Sequence, residues 1–168
     1  MELPQRSPES SSSPVPADGP GAKGASSPES GRSATDGPGE TAGPLLLLAE
    51  DNPTNQRTVQ LFLQAKGYRV VLAVNGREAV ERAAQLRPAL ILMDVQMPEL
   101  DGLQAIQQLR ATAQCAATPI IALTALAMPG DRERCLAAGA DVYLSKPVSL
   151  KELAAIVIKL LSSASALA

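Results

Sequence analysis

The chain has 168 residues, a formal net charge of −2 at pH 7 and no histidine. Its length allows one ordinary domain and little more, and its weak charge, without a basic run, gives no sign of nucleic acid or an anionic membrane as a partner. The missing histidine excludes a histidine metal site, a Ser-His or Cys-His catalytic pair and a phosphohistidine relay within the chain.

No segment has the pattern of a signal peptide or a membrane span. The dense apolar run nearest the amino end, Leu45 to Leu48, is far too short to cross a bilayer. Cys115 and Cys135 have neither metal-like nor redox-like spacing, so we interpret both as reduced, packed thiols. These features predict a cytoplasmic protein with no nucleic-acid and no membrane partner.

The first 44 residues lack the composition of a folded domain. Of these residues, 24 are Ser, Pro or Gly, and the apolar residues among them are mostly alanine. Such a segment cannot bury enough surface to offset the ordering of the chain, which costs roughly 1–2 kcal/mol per residue. We therefore predict a disordered tail over residues 1–44, a folded domain over 45–162 and a short tail over 163–168.

After residue 44, short apolar runs alternate with segments of helical periodicity. The runs have strand length and are bounded by turn residues, which is typical of buried strands. They are Leu45–Ala49, Tyr68–Ala73, Leu90–Met93, Pro119–Leu123 and Asp141–Leu144.

Each predicted strand is followed by a helical segment with a recognisable start. These starts are Asn52-Pro53, Asn75, Asp101-Gly102, Pro129 and a capping box of Ser149 with Glu152. Five strands alternating with five helices predict an α/β fold with a parallel sheet covered on both faces. Because the chain is too short for an eightfold barrel, we predict the doubly wound form.

Four of the five predicted strands end next to a charged or hydroxyl residue. Glu50 and Asp51 follow the first strand, and Asp94, Thr124 and Lys146 end or follow the third, fourth and fifth. Ligands of open parallel sheets bind in the crevice outside the carboxyl ends of the strands. Each residue by itself could be a cap, a turn residue or a surface charge, but the set indicates a functional site.

The residue types in this set favour phosphoryl transfer. Two carboxylates about 4 Å apart repel by roughly 4 kcal/mol at an effective dielectric near 20, so the cluster needs a cation, and oxygen ligands suit magnesium. Asp94 would be the nucleophile that forms an aspartyl phosphate. Asp51 would bind the metal directly and Glu50 through water, while Lys146 and Thr124 would contact the phosphoryl group.

Four motifs carry a family resemblance. They are Ala49-Glu50-Asp51-Asn52, Met93-Asp94-Val95-Gln96-Met97-Pro98 with Asp101-Gly102, Ala122-Leu123-Thr124-Ala125, and Gly139-Ala140-Asp141 running into Tyr143-Leu144-Ser145-Lys146-Pro147. From Leu45 to about Ser162 the chain resembles the receiver domain of two-component response regulators, most closely those of hybrid kinases and phosphorelays. The resemblance implies a flavodoxin-like, five-stranded sheet of order 2-1-3-4-5.

The resemblance also implies partners and further site residues. The phosphoryl group would come from a sensor histidine kinase or a histidine phosphotransfer protein, with magnesium as the required cofactor. Since this chain has no histidine, the donor must be another molecule. Gln96 would offer its backbone carbonyl to the metal, and the Lys146-Pro147 bond would be cis.

Signalling in the family depends on two switch positions, Thr124 and Tyr143. The hydroxyl is expected to move toward the phosphate and the ring to turn inward, although Tyr143 could equally be an ordinary half-buried strand residue. The resemblance also implies that Gln96 and Leu126 occupy the positions that tune hydrolysis of the phosphate. Because Leu126 cannot orient a water molecule, we expect slow autodephosphorylation.

We therefore predict a single-domain response regulator that signals to a downstream protein by switching or by onward phosphotransfer. It would not be an enzyme beyond self-catalysed phosphoryl transfer and slow autodephosphorylation. The alternative on the same fold is a protein-binding module that is never phosphorylated.

Two other classes fit the residues less well. A haloacid-dehalogenase-type phosphatase needs a second aspartate two residues after the nucleophile, where this chain has Gln96. A flavodoxin needs a phosphate loop rich in Ser, Thr and Gly after the first strand, where Glu50 and Asp51 would repel a phosphate.

Overall fold

Strands and helices alternate throughout the part of the chain that this computed structural model describes, residues 43–125 and 130–165. The predicted order of elements is confirmed, with boundaries displaced by one or two residues. The elements are β1 Leu45–Ala49, α1 Pro53–Ala65, β2 Arg69–Ala73, α2 Gly76–Leu86, β3 Leu90–Asp94, α3 Gly102–Ala111, β4 Ile120–Thr124, α4 Asp131–Ala138, β5 Val142–Ser145 and α5 Leu150–Ser165.

The predicted tail over residues 1–44 lies outside the described residues except for its last two. At the other end, α5 continues three residues past the predicted limit of the domain. No helix in the described ranges is both long enough and apolar enough to span a membrane.

All five strands are parallel, and their order is β2-β1-β3-β4-β5, as predicted. The register aligns their carboxyl ends, because Ala49 pairs with Met93 and Thr124 pairs with Ser145. The residue after β1, the last residues of β3 and β4, and the residue after β5 therefore form one row. This row is where the polar groups of the candidate site stand.

The sheet has a hydrophobic core on each face, since alternate strand residues point to opposite sides. One core packs under α2, α3 and α4, and the other packs under α1 and α5. The first includes the sheet residues Leu47, Ala49, Ile91, Met93, Ile120 and Ala122. The second includes Leu46, Leu48, Leu90, Leu92, Ile121 and Leu123. β3 and β4 are buried along their whole length, which fixes the strands that carry Asp94 and Thr124.

The caps read from the sequence hold the helix starts in place. The Asn52 side chain accepts hydrogen bonds from the N–H groups of Thr54 and Asn55, and Asn75 accepts one from Glu78. Such caps satisfy backbone donors that a helix start leaves unpaired. The α1 cap matters most here, because it lies directly after the two acidic residues that follow β1.

A close backbone approach sets the position of α3. A Cβ on Gly102 would lie 2.0 Å from the carbonyl oxygen of Asp94, so only glycine fits there. The Gly102 N–H also donates to the Val95 carbonyl at 2.9 Å. The loop between β3 and α3 is thereby drawn in against the end of the strand that carries Asp94.

The amino edge of the sheet is held by one arginine. The Arg110 guanidinium donates to the carbonyls of Gly139 at 2.8 Å and Thr118 at 2.7 Å, and to Asp141 Oδ2 at 2.7 Å. Asp141 Oδ2 also accepts the Ile120 N–H at 2.8 Å. Arg110 therefore connects the loops that enter β4 and β5, at the end of the sheet opposite the candidate site.

Candidate functional site

Three polar side chains are buried at the carboxyl edge of the sheet. Glu50 and Asp94 are each 2% exposed and Thr124 is 1% exposed, and no other polar or charged residue in the described ranges is buried. Burying polar groups costs free energy unless they are paired or hydrogen-bonded. Their concentration at one edge therefore marks a site rather than ordinary packing.

Lys146 pairs with both buried carboxylates. Its Nζ donates to Asp94 Oδ2 at 2.6 Å and to Glu50 Oε2 at 2.7 Å. The Lys146 backbone N–H donates to the Thr124 carbonyl at 2.7 Å, which ties the start of the next loop to β4. The Lys146-Pro147 bond is cis, which confirms the sequence prediction.

The second carboxylate oxygen of Asp94 is held by the loop that follows it. The Gln96 N–H donates to Asp94 Oδ1 at 3.0 Å, while the Gln96 residue itself is exposed. The Asp94 carboxylate is thus oriented from both sides, by a backbone donor and by an ammonium group. That the Gln96 carbonyl binds a metal stays a prediction.

The acidic residues of the site are grouped closely enough to share a cation. One carboxylate oxygen each from Glu50, Asp51 and Asp94 lies within 4.8 Å of the others, and Asp51 is exposed at the rim. Three carboxylates face one ammonium, so the group has an excess of negative charge. Hard oxygen donors with this charge suit magnesium, which takes one or two carboxylates and keeps several waters.

A family comparison agrees with this geometry. The family model described as the response regulator receiver domain matches residues 46–158. The chain belongs to this receiver domain family. Its place is therefore in two-component signalling, and the phosphatase and flavodoxin alternatives are set aside.

Relatives of this receiver domain include proteins of different settings. Over 105 residues it is 40% identical to the polar-differentiation response regulator DivK of Brucella anthropi, covering 62% of this chain and 85% of that protein. It is 45% identical to the receiver domain of a sensor histidine kinase from Pseudomonas aeruginosa PAO1, with a TM-score of 0.68 over 72% of this chain and 99% of the other. That structure has a magnesium ion coordinated in its active-site cleft.

A chemotaxis protein, CheY4 of Vibrio cholerae, is similar in fold as well. Its structure is 31% identical, with a TM-score of 0.67 over 71% of this chain and 99% of that one. The same receiver architecture thus occurs in a sensor histidine kinase, a polar-differentiation regulator and a chemotaxis protein, and the comparison assigns none of these settings to this chain.

The electrostatics of the receiver site are set by burial and by the shared lysine. Burial raises the pKa of Asp94, and Glu50 adds to the rise, while Lys146 and the Gln96 N–H oppose it without cancelling it. Burial acts to lower the pKa of Lys146, but its hydrogen bonds to Asp94 and Glu50 outweigh burial and raise that pKa. The protonated form of Lys146 is therefore favoured. Ionisation of Asp94 is less favourable than in water, and an added cation would make it more favourable.

The two predicted switch residues are placed differently. Thr124 is the last residue of β4 and is fully buried next to the strand that carries Asp94. Tyr143 lies in β5, is half-buried and packs against the core under α2, α3 and α4. This position is compatible with a switch and with simple packing, so the switching role stays a prediction. Leu126 lies outside the described residues.

Two site residues were missed by the sequence analysis. Asn55 and Gln56, in the first turn of α1, both contact Glu50 through their side-chain amides. The available signal was a pair of adjacent amide residues in the first turn of the helix that follows the acidic pair. Helical phase alone does not decide which of them faces the site.

Proposed function

We propose that Asp94 accepts a phosphoryl group from a phosphohistidine on a partner protein, in a magnesium-dependent reaction. The partner would be a sensor histidine kinase or a histidine phosphotransfer protein. The observation that carries this proposal is the contact of the Lys146 ammonium with the buried Asp94, 2.6 Å long, at the carboxyl edge of the sheet. A nucleophile, a cation and a hydroxyl are the groups that phosphoryl transfer needs.

In the proposed step a carboxylate oxygen of Asp94 forms a bond to phosphorus. The P–N bond of the donor breaks, and the imidazole leaves with the electron pair. Lys146 donates hydrogen bonds to the phosphoryl oxygens, and the Thr124 hydroxyl donates one more. The Gln96 N–H keeps the other oxygen of Asp94 in place, so that the nucleophile does not rotate away.

Asp51 and Asp94 would hold magnesium directly, together with the Gln96 carbonyl, and Glu50 would do so through water. When bound, the ion supplies positive charge that offsets the negative charge of the phosphoryl oxygens. The oxygen-only donor set and its excess negative charge fit this assignment.

The signal would leave the domain by protein contact. Thr124 would move toward the phosphoryl group, Tyr143 would turn inward, and the face made by α4, β5 and α5 would change its packing. Phosphorylated protein would then bind a downstream protein or pass the phosphoryl group onward. With Gln96 and Leu126 at the tuning positions, autodephosphorylation would be slow.

Intact-mass spectrometry tests the acceptor chemistry directly. The protein is incubated with acetyl phosphate, with and without magnesium, beside Asp94→Asn as the control. We expect a magnesium-dependent phosphoryl adduct on the wild type and none on the variant. An adduct that survives in the variant would mean a different nucleophile, and no adduct at all would favour the phosphorylation-independent binding module.

A further inference from the structure

The first turn of α1 holds Glu50 by both its side chain and its backbone. The Asn55 side-chain amide donates to Glu50 Oε1 at 3.1 Å. The Gln56 amide donates to the Glu50 carbonyl at 3.1 Å and to the Ala73 carbonyl at 3.4 Å. Because the Glu50 N–H also donates to the Ala73 carbonyl, the loop after β1 is fixed against the end of β2.

These contacts give each oxygen of a buried carboxylate a hydrogen-bond donor. Lys146 donates to Glu50 Oε2 and Asn55 donates to Glu50 Oε1, and Glu50 is only 2% exposed. A buried carboxylate that loses one of its hydrogen-bond donors keeps the desolvation cost of burial without the bond that offsets it. Asn55 is itself placed by the helix cap, since its N–H donates to the Asn52 side chain at 3.2 Å.

The chemistry of Asn55 is suited to a site that must still attract a cation. The Lys146 ammonium contacts both Glu50 and Asp94, so its positive charge is divided between two carboxylates. A lysine or arginine at position 55 would also pair with Glu50, but its charge would weaken the attraction of the cluster for a metal ion. An amide holds the carboxylate by a hydrogen bond and leaves the negative charge of the cluster unchanged.

We propose that Asn55 is a positioning residue for the magnesium site: its amide holds the Glu50 carboxylate in a fixed orientation, and thereby strengthens metal binding by the acidic cluster. This role rests on the proposed function, because it belongs to the same magnesium-dependent site. Groups that orient the ligands of a metal are typically worth 10–100-fold in metal affinity. We expect about a tenfold loss of magnesium affinity without the Asn55 donor.

The test compares Asn55→Leu, Asn55→Ala and Asn55→Gln with a matched control, Gln60→Ala. Leucine keeps much of the volume and removes the donor, alanine removes both, and glutamine keeps an amide on a longer arm. Gln60 is another amide residue of α1, and its side chain accepts a hydrogen bond from Arg57, away from Glu50. Since Asn55 is exposed, its replacement leaves the core intact.

Magnesium dissociation constants are measured by calorimetry on the full chain without a phosphoryl donor. Melting temperatures in EDTA check the fold. We expect Kd to rise about tenfold in Asn55→Leu and Asn55→Ala, by less in Asn55→Gln, and by less than twofold in Gln60→Ala. Labelling by acetyl phosphate should need correspondingly more magnesium, with little change in the rate at saturating magnesium. If Asn55 were purely structural, its replacement would lower the melting temperature without raising the magnesium requirement at an unchanged saturated rate.

Two results would overturn the proposal. One is a Kd in Asn55→Leu and Asn55→Ala within twofold of the wild type, and the other is an equal loss in Gln60→Ala. Failure of the proposed function is recognised separately. A wild type that binds magnesium but gains no adduct on Asp94 would refute phosphoryl acceptance while leaving the Asn55 effect on Kd intact. A wild type that binds no magnesium would refute both.

Discussion

Lys146 Nζ lies 2.6 Å from Asp94 Oδ2, although 52 positions separate the two residues in the chain. The contact follows from the sheet, because β4 lies between β3 and β5 and the three strands end level with one another. The same ammonium reaches Glu50 on the other side of β3. One cation therefore pairs with two carboxylates, one after β1 and one at the end of β3, and its removal is expected to affect both.

Lys146→Met should destabilise the protein strongly in the absence of metal. The change leaves two buried carboxylates without their counter-ion, and breaking a buried pair in this way costs roughly 3–5 kcal/mol. Urea unfolding in EDTA measures the loss, and added magnesium should recover part of it. Lys159→Met, at an exposed position of α5, serves as the control. A loss below about 1 kcal/mol would show that Lys146 contributes little to the fold.

Asp94→Asn should have the opposite effect on stability. Because burial and Glu50 raise the pKa of Asp94 despite Lys146, the charged carboxylate is less favourable in the folded protein than in water. A neutral side chain of the same shape removes that cost. We therefore expect the variant to have a higher Tm than the wild type at pH 7 in EDTA. Asp51→Asn, with the same charge change at an exposed position, should shift Tm much less.

The stability gain of Asp94→Asn should depend on pH in a defined direction. The pKa of Asp94 is raised above its ordinary value of 3.8, so the folded state holds the proton more tightly than the unfolded state. The cost of ionising Asp94 is fully present above the raised pKa and vanishes below 3.8. The Tm difference between variant and wild type should therefore shrink as the pH falls from 7 toward 4. A difference that grows on acidification would contradict the raised pKa.

The two cysteines should react slowly in the native protein. Burial raises the pKa of both the Cys115 and Cys135 thiols, and the two residues are 0% and 2% exposed. Since the thiolate is the reactive form, iodoacetamide at pH 8 should label the folded protein at least about tenfold more slowly than the protein in urea. Mass spectrometry of tryptic peptides reads each site separately, and rapid labelling of either cysteine would show that the structure around it opens readily.

Arg110→Ala should lower stability without altering the chemistry of the site. Arg110 connects Gly139, Thr118 and Asp141 at the amino edge of the sheet, and the change leaves several acceptors unpaired, at a cost of about 2–4 kcal/mol. Arg110→Lys should recover little, because an ammonium cannot reproduce the planar fan of donors. Exposed Arg132→Ala is the control. Well below Tm, labelling of Arg110→Ala by acetyl phosphate should match the wild type.

The sequence was sufficient to predict the fold because apolar runs of strand length alternate regularly with segments of helical periodicity along residues 45–162. It was also sufficient to bring Asp94, Thr124 and Lys146 to one edge, since parallel strands of similar length end together. Strand ends were displaced by a residue, as Asp94 and Thr124 proved to be the last residues of their strands. Such boundaries depend on hydrogen bonds to the neighbouring strand, which no local pattern contains.

The residues that the sequence did not reveal act through tertiary contacts. Arg110 looks like an ordinary basic residue at a helix end, yet it contacts a carbonyl 29 positions away. Asn55 looks like a surface amide, and only the path of the loop after β1 brings it to Glu50. Polar side chains of this kind have no periodicity, so their partners are defined only once the elements have packed.

The position of Lys146 after the last strand has a consequence for the way the site comes into being. β5 pairs only with β4 at the edge of the sheet, and Lys146 is 96 positions from Glu50. The segment from β1 to β4 contains all three carboxylates of the cluster, but it lacks Lys146, the ammonium that reduces the repulsion between them. Under the proposed function, phosphoryl transfer to Asp94 would require β5 to be in place, so labelling by acetyl phosphate would report that the sheet is complete.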